Sequence, residues 1–459
     1  MTLTESIVEK LTKRIDSGVL APGSRLPSIR RAAEEFEVSK NTIVEAYDRM
    51  VAAGLISSRR GYGFTVADRY TQLASERSQH VAEAVDIASL LSAQLEQNFS
   101  IRVGDGRPPA SWTEESELQR HLGRFKPPAS SREDGYGSAM GYLGLRDRLA
   151  MNYMDRGVEV GADGILLTFG ANHALDLVIR RLLLPGDTVL VDDPGYYPLF
   201  AKLKLSQIRM VGVNRLSTGP DIDDLREKAE RERPKIFFTQ SLAHNPTGGS
   251  MTLPTAHAVL TLAEQHGFTV VEDEPFLDLP TVDGPFLAQL DQLQNVIHIG
   301  TFSKTLSASL RCGYVAARPD IIASLAELKM LTSVNSSSYV ERLVHGLLTD
   351  GHYHRHLKRL SQRIRRATDV VTQNLERIGL STLSPPSGGY YVYLRFPPGV
   401  DDMQLARQAI GEGIFTAPGS LFCVDRKPNR SGMRVNVAWA ESPRFYDFLN
   451  HEIQNVLSR

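Results

Sequence analysis

The chain has 459 residues, enough for roughly two to four domains and a large buried core. Its 52 basic and 53 acidic residues leave a formal net charge of −1, so no chain-wide field indicates nucleic acid or a membrane surface. The two cysteines, Cys312 and Cys423, form no CxxC pair, which favours a reducing compartment and offers no thiolate metal site. Since the N-terminus lacks an apolar signal core and no apolar run approaches the ~20 residues of a membrane helix, we expect a cytoplasmic protein without membrane contact.

Residues 1–68 predict a three-helix unit followed by a hairpin. Thr4 can cap a first helix, a second short helix follows Ser28, and Ser39 caps a third helix. One face of the third helix is apolar: Ile43, Ala46, Tyr47 and Met50. After it, residues 57–66 combine serines, arginines and glycines in a pattern that suits a tight hairpin.

This arrangement is typical of a winged helix-turn-helix, which places one helix in the major groove of double-stranded DNA. Lys40, Asn41 and Thr42, which follow the Ser39 cap, would then face base edges. Phosphates would be contacted by side chains around the second helix and the hairpin, and the wing would reach towards the minor groove. The residues predicted for the phosphate contacts are Arg25, Ser28, Arg30 and Arg60, and Ser39 and Gly61 are also predicted to belong to the DNA-binding surface. The alternative is a three-helix interaction module that never contacts DNA.

Three stretches of this segment resemble the signature of the GntR family of bacterial regulators. They are residues 17–30 (SGVLAPGSRLPSIR), residues 38–47 (VSKNTIVEAY) and residues 60–63 (RGYG). The resemblance covers almost the whole segment and implies that it binds DNA. Residues 69–97 are polar and alanine-rich, and they are predicted to form a linker.

From residue 98 to residue 459 the pattern changes to an α/β domain. Short apolar runs alternate with segments of helical length, which predicts a mixed, mostly parallel sheet whose ligands gather at the carboxyl ends of the strands. The predicted strands are 165–169, 188–192, 235–241, 268–272, 295–300 and 313–317. The large part would extend to about residue 378, and residues 379–459 would form a small α+β C-terminal part.

Polar motifs follow these strands. Gly170-Ala171-Asn172 opens a helix whose amides can hold a phosphate, and Tyr196 offers a ring for stacking. Asn245 lies in a sharp Asn-Pro turn. Asp273 stands between two glutamates; three acids could also indicate a metal site, but no histidine lies in their immediate neighbourhood and no metal is expected.

Lys304 ends the polar turn after residues 295–300. An amine just past a buried strand loses hydration and can be neutral and nucleophilic, and the neighbouring Thr301, Ser303 and Arg311 can hold an anion within its reach. The alternative is a surface loop with an ordinary solvated lysine. Asparagine, aspartate, then lysine with arginine, each after a strand, is a far more specific pattern than any one of its members.

This order resembles that of the fold-type I pyridoxal-phosphate enzymes related to aspartate aminotransferase. The resemblance implies a catalytic Lys304 that forms the Schiff base with pyridoxal 5'-phosphate, Asp273 on the pyridine nitrogen, Asn245 on the ring hydroxyl and Tyr196 stacked on the ring. It also implies a phosphate site, a tyrosine lent to the neighbouring subunit of a homodimer, and a pocket for an effector carboxylate. The residues implied are Gly170, Ala171, Asn172, Thr301, Ser303 and Arg311 for the phosphate, Tyr136 for the lent tyrosine, and Gly106 and Arg434 for the carboxylate pocket.

One position departs from the family pattern. Three residues after the aspartate these enzymes usually carry a tyrosine that bonds the ring hydroxyl, and here it is Phe276. The change keeps the shape and removes the donor, so we expect slower proton chemistry with cofactor binding kept. Alternatively, the second contact is dispensable or another group supplies it.

A GntR-like segment followed by an aminotransferase-like domain resembles the MocR subfamily of bacterial transcriptional regulators. The resemblance implies a homodimeric regulator that binds an operator with two half-sites and senses a small amine or amino acid, or the cofactor itself. Two alternatives remain open. One is an active aminotransferase with a DNA-binding appendage, and the other is a DNA-binding protein whose large half is a dimerisation scaffold without cofactor.

Overall fold

The structure, a computed structural model, describes residues 3–16, 20, 23–59, 63–67, 99–113, 137–425 and 431–458. The chain divides into two compact units, one within residues 1–82 and one within residues 83–459. The predicted linker lies outside the described residues, so the boundaries 1–68, 69–97 and 98–459 stay predictions. No helix among the described residues is long and apolar enough to span a membrane.

The N-terminal unit contains the three predicted helices and the hairpin. They are α1 (Leu3–Asp16), α2 (Ile29–Glu35), α3 (Lys40–Ala52) and the antiparallel strands β1 (Ile56–Arg59) and β2 (Gly63–Val66). The predicted apolar stripe of α3 is fully buried, and the Tyr47 hydroxyl donates to the Pro27 carbonyl at 2.9 Å. The predicted cap at Thr4 is wrong: Thr4 lies inside α1, and its hydroxyl instead donates to the Glu45 carboxylate on α3 at 3.2 Å.

Ser39 caps α3 as predicted. Its hydroxyl oxygen accepts from the backbone N–H of Thr42 at 3.1 Å, which satisfies a donor that the first turn leaves unpaired. We expect Ser39→Ala to lower the free energy of unfolding of this unit by about 1 kcal/mol, measured by chemical denaturation. Ser39→Asp, which retains a capping oxygen, is the matched control; equal destabilisation by both variants would contradict the capping role.

The large unit is built on an eight-stranded sheet in the order β3-β10-β9-β8-β7-β4-β5-β6. Neighbouring strands from β9 to β5 run parallel, and β10 is antiparallel to both β3 and β9, so the mixed, mostly parallel sheet is confirmed. The strands are β3 (Ile165–Thr168), β4 (Thr188–Asp193), β5 (Arg209–Leu216), β6 (Gly219–Pro220), β7 (Ile236–Thr239), β8 (Thr269–Glu274), β9 (Val296–Thr301) and β10 (Gly313–Ala316).

All six predicted strands are present, with bounds shifted by at most two residues. The prediction missed β5 and β6, which lie at one edge of the sheet. Much of β5 is only half-buried, and it begins at the exposed Arg209, so it lacks the apolar run of a central strand.

Apolar cores cover both faces of this sheet because successive strand residues point to opposite sides. Val270 and Val271 on β8 belong to different cores, as do Val296 and Ile297 on β9. The helices of the unit are α4 (Ala110–Thr113), α5 (Leu143–Met154), α6 (Ala171–Leu182), α7 (Tyr197–Leu205), α8 (Ile222–Glu232), α9 (Leu253–His266), α10 (Leu287–Asp291), α11 (Pro319–Ser333), α12 (Ser338–Thr349), α13 (His352–Arg377), α14 (Asp402–Gly411) and α15 (Pro443–Leu457).

A second, smaller sheet follows the long helix α13. Its strands are β11 (Tyr391–Arg395), β12 (Ala417–Pro418) and β13 (Gly432–Asn436), antiparallel in the order β11-β13-β12. This sheet places Tyr391 and Arg434 on adjacent strands. Both side chains line the cavity described next.

Candidate functional site

A cavity of about 490 Å³ lies where the carboxyl ends of β7, β8 and β9 meet the start of α6 and the small sheet. Most of the residues predicted for the ligand site line it. These are Gly106, Ala171, Asn172, Tyr196, Asn245, Asp273, Thr301, Ser303, Lys304, Arg311 and Arg434. Residues that are up to 328 positions apart in the chain (106 to 434) therefore share one cavity.

Lys304 follows β9 by three residues, so its position is fixed by a buried strand. Its side chain is half-buried, and the Nζ amine donates to the Gly106 carbonyl. The hydroxyl of Tyr390 donates to the Lys304 carbonyl at 3.1 Å. The loop therefore holds a lysine amine inside the cavity, against a neutral acceptor.

Asp273 is a buried carboxylate near the end of β8, 8% exposed. Gln240 donates weakly to its Oδ2 at 3.4 Å, and Oδ1 has no hydrogen-bond partner among the described residues. Burial raises the pKa of this carboxyl from its ordinary 3.8 to about 7. The group is therefore suited to a ligand that brings a donor or a positive charge.

This raised pKa has a measurable consequence for stability. Between pH 4 and 7 the folded protein holds the Asp273 proton more tightly than the unfolded chain does. The contribution of this proton to the free energy of unfolding is therefore fully present below about pH 4 and is lost as the pH rises through 7. Asparagine at this position does not titrate, so the Asp273→Asn variant does not show this decrease in the free energy of unfolding. We expect the variant of the ligand-free protein to gain on the order of 3 kcal/mol relative to wild type between pH 4 and 7.5, measured by denaturation. A difference that does not change with pH would contradict the raised pKa.

An anion cradle lies at the start of α6. Gly170 caps the helix with φ +85°, and a Cβ atom there would lie 2.9 Å from Nη2 of Arg311. That guanidinium donates to the Phe169 carbonyl at 2.8 Å and approaches the Ser303 hydroxyl at 3.5 Å. Thr301 donates to Ser303 at 3.1 Å. Helix amides, two hydroxyls and a guanidinium together match the chemistry of a phosphate.

Arg434 is a buried cation, 1% exposed, that also lines the cavity. Its Nη1 donates to Asn245 Oδ1 at 3.0 Å and its Nη2 to the Gly104 carbonyl at 2.7 Å, whereas Nε has no partner. No ion pair joins it to a carboxylate within the described ranges. Because a buried charge without a counter-charge is costly, the site favours a ligand with an anionic group.

Three predicted residues stand apart from this arrangement. Phe276 is fully buried against the rings of Tyr390 and Tyr391 and is not among the residues that line the cavity, so its place beside the cofactor stays a prediction. Gly170 does not line the cavity but caps α6 at the cradle, where an added Cβ atom would crowd Arg311. Tyr136 lies outside the described residues.

The two glutamates beside Asp273 have structural partners. Glu272 accepts from the backbone amides of Leu287 and Ala288, and Glu274 accepts from those of Ser241 and Leu242. Burial raises the pKa of both carboxyls. These acids therefore hold neighbouring loops, including the loop that leads to Asn245.

Several residues that line the cavity were not predicted from the sequence, namely Arg107, Gln240, Pro275, Ser309 and Tyr391. Gln240 had a usable signal, because it is a polar side chain next to the last residue of the predicted strand 235–241, and the other motifs also lie at strand ends. Tyr391 had none, since only the packing of the small sheet brings it to the cavity.

In the N-terminal unit the predicted DNA contacts lie largely on the surface. Ser39, Lys40 and Asn41 are exposed at the start of α3, and Thr42 is half-buried. Ser28 caps α2 and is exposed. Arg25 is exposed beside β2, and Arg30 is exposed with Glu34 at 3.4 Å. Arg60 and Gly61 lie outside the described residues.

Comparison with known protein families finds a match for each of the two units. Residues 106–443 match the family described as "Aminotransferase class I and II". The chain belongs to this family. Residues 3–66 match the family described as "Bacterial regulatory proteins, gntR family". A GntR domain before an aminotransferase-like domain is the layout of the MocR subfamily, as the sequence predicts.

Relatives share both parts. YdfD of Bacillus subtilis (strain 168), described as an uncharacterized HTH-type transcriptional regulator, is 27% identical over 92% of this chain and 90% of its own length. The HTH-type transcriptional regulator NorG of Staphylococcus aureus (strain USA300) is 26% identical over 87% of this chain and 92% of its own.

Solved structures resemble the large unit. The multiple substrate aminotransferase of Thermococcus profundus superposes with a TM-score of 0.75 at 24% identity, over 84% of this chain and 98% of its own. LysN, the alpha-aminoadipate aminotransferase of Thermus thermophilus, was solved with N-(5'-phosphopyridoxyl)-L-leucine. It gives a TM-score of 0.74 at 26% identity over 84% and 99% of the two chains.

Proposed function

We propose that this chain is a transcriptional regulator whose N-terminal residues 1–68 bind double-stranded DNA and whose residues 98–459 bind pyridoxal 5'-phosphate and sense an amino compound. One observation carries the proposal: Lys304, Asp273, Arg434 and the anion cradle line a single cavity in a chain that also carries a GntR domain. The relatives named as transcriptional regulators support the same assignment over both parts of the chain.

The cavity fits pyridoxal phosphate. The unpartnered Oδ1 of Asp273 suits a protonated ring nitrogen, and the cradle around Arg311 suits the phosphate. Tyr196 offers a ring face, and Asn245 an amide for the ring hydroxyl. When bound, the cofactor supplies an electrophilic carbonyl that primary amines attack and a ring that withdraws electrons. In this proposal Lys304 holds the cofactor until an effector amine takes its place.

Arg434 gives the effector a second point of attachment. An amino acid presents an amine towards Lys304 and a carboxylate towards the guanidinium, whose Nε is unpartnered. A charge-assisted contact there would compensate the buried cation. Gly106 has no side chain to occupy the space beside the Arg434 guanidinium, where a Cβ atom would lie 3.6 Å from Nη2.

Borohydride reduction tests the cofactor proposal. Purified protein reconstituted with pyridoxal phosphate should show a visible absorption band, which reduction fixes covalently. Peptide mapping should then find the pyridoxyl group on Lys304. A protein that stays colourless after reconstitution, or that carries the label on another lysine, would overturn it.

The regulator is proposed to act as a homodimer on an operator with two half-sites. Two GntR domains in a symmetric dimer read repeated or inverted half-sites at a fixed spacing, and Tyr136 would serve the neighbouring subunit's phosphate site. Selection from a pool of random DNA duplexes should recover paired half-sites with wild type. Asn41→Ala, at an exposed position in the first turn of α3, should weaken binding to them by about tenfold.

An active aminotransferase is the second candidate, because LysN at 26% identity is named as one and the lysine, aspartate and arginine are all in place. Against it, Phe276 supplies no hydroxyl to the cavity. Steady formation of a keto acid from an amino donor, at many turnovers per subunit, would establish this candidate. A single half-reaction that then stops would favour the regulator.

A further inference from the structure

Tyr391 joins the two ends of the candidate effector site. Its ring centroid lies 4.6 Å from the Cζ atom of Arg434, and its hydroxyl donates to the Gly106 carbonyl at 2.8 Å. The same carbonyl accepts from the amine of Lys304. One side chain therefore contacts the cation proposed to bind the carboxylate and the acceptor that holds the reactive lysine.

We propose that the ring of Tyr391 sets the selectivity of the site for amino acids over simple amines. Its hydroxyl sets the affinity of the site for both kinds of ligand. It is a positioning residue: it acts by holding Arg434 and the segment at Gly106. The inference rests on the proposed function, since it concerns the same cavity.

The ring of Tyr391 faces the guanidinium of Arg434, which is buried. The two hydrogen bonds described for its guanidinium go to the neutral oxygens of Asn245 and Gly104, and Nε has no partner. The Cζ atom of Arg434 lies 4.6 Å from the ring centroid of Tyr391 and 5.0 Å from that of Phe422. These two ring faces stabilise and orient the charged guanidinium. Without the Tyr391 ring the guanidinium can tilt, and the geometry required by a carboxylate is lost.

The hydroxyl of Tyr391 anchors the segment at residues 104–106. Its Gly104 carbonyl accepts from Arg434, and its Gly106 carbonyl accepts from both Tyr391 and Lys304. Removing the hydroxyl frees one anchor of a segment that borders both ends of the effector. The loss should therefore affect every amine alike, with or without a carboxylate.

Tyr391 lies beside Phe276, the residue that departs from the family pattern. Phe276 packs edge-on against the ring at 5.5 Å and is fully buried. It contributes no hydroxyl to the cavity, whereas Tyr391 places one there. The phenol of Tyr391 on β11 thus lies at the site, although Phe276, three residues after Asp273, carries none.

Two variants separate the two effects. Tyr391→Phe keeps the ring, and Tyr391→Leu removes it. The probes are L-leucine with 3-methylbutylamine, and L-alanine with ethylamine, each pair differing by one carboxylate. Midpoints of the absorption change are measured on cofactor-loaded protein, and melting temperatures with each probe are measured on cofactor-free protein. The ratio of amine to amino-acid midpoints is the selectivity.

We expect Tyr391→Phe to raise all midpoints by about three- to tenfold and to leave the ratio within about twofold of wild type. Tyr391→Leu should lower the ratio by about tenfold. Tyr446→Phe, at a buried tyrosine that does not line the cavity and whose hydroxyl donates to the Ala440 carbonyl, should leave the midpoints and the ratio unchanged. If Tyr391→Leu does not fold, Tyr391→Met, whose longer unbranched side chain adapts more readily to the space left by the ring, takes its place.

A ratio unchanged in Tyr391→Leu, or a ratio lowered equally in Tyr391→Phe, would overturn the inference and leave the proposed function standing. Wild-type protein that binds no pyridoxal phosphate, or that does not distinguish amino acids from amines, would instead overturn the proposed function and this inference with it.

Discussion

Replacing Lys304 by alanine is expected to abolish the visible absorption of the reconstituted protein and every spectral response to amines. The Nζ amine is the lysine nitrogen that the structure places in the cavity with Asp273 and the anion cradle. Alanine leaves the cradle around Arg311 intact, so the cofactor can still be held by its phosphate but not covalently. Absorption spectra before and after borohydride, followed by gel filtration, measure both effects.

Lys358→Ala is the control for this prediction, because Lys358 is an exposed lysine on α13 that does not line the cavity. It should keep the band and the amine response of wild type. A Lys304→Ala protein that retains a borohydride-fixed label would contradict the assignment of the reactive amine.

Arg434→Gln should weaken the response to amino acids by about 100-fold or more while changing the response to the matching simple amines little. The substitution removes a buried cation that can meet a carboxylate in a charge-assisted contact, a loss worth about 2 to 4 kcal/mol. Glutamine can still donate to Asn245 Oδ1 or to the Gly104 carbonyl, so the local fold is kept. Titrations of L-leucine and 3-methylbutylamine, read by absorption, measure the effect.

Arg434→Lys is the matched control for charge. It keeps a cation but not the planar fork, so it should recover part of the amino-acid response. Equal losses for the amino acid and the simple amine in Arg434→Gln would show that Arg434 supports the fold of the site without binding the carboxylate.

The N-terminal unit was predictable because its signals are local. Ser28 and Ser39 each cap a helix in the structure, and the apolar stripe from Ile43 to Met50 forms its core. The failed cap at Thr4 shows the limit of such signals: a hydroxyl at a plausible cap position bonds Glu45 on a different helix instead.

The large unit was predictable wherever a buried strand ends in a polar motif. Chain order alone placed Asn245, Asp273 and Lys304 at or beyond the carboxyl ends of β7, β8 and β9, and a mostly parallel sheet then brings them together. The place of Tyr391 at the cavity and the burial of Phe276 against it depend on how the small sheet packs against the large one. No local pattern in the sequence encodes that packing.

The most direct test of the account measures DNA affinity and amine binding in one titration. A duplex carrying the selected operator is bound by the cofactor-loaded protein, and an amino acid that shifts the absorption band is then added. The account predicts that the DNA affinity or footprint of wild type changes over the same concentration range as the band, and that Lys304→Ala shows no change. An absorption shift with continuous keto-acid production and unaltered DNA binding would contradict it.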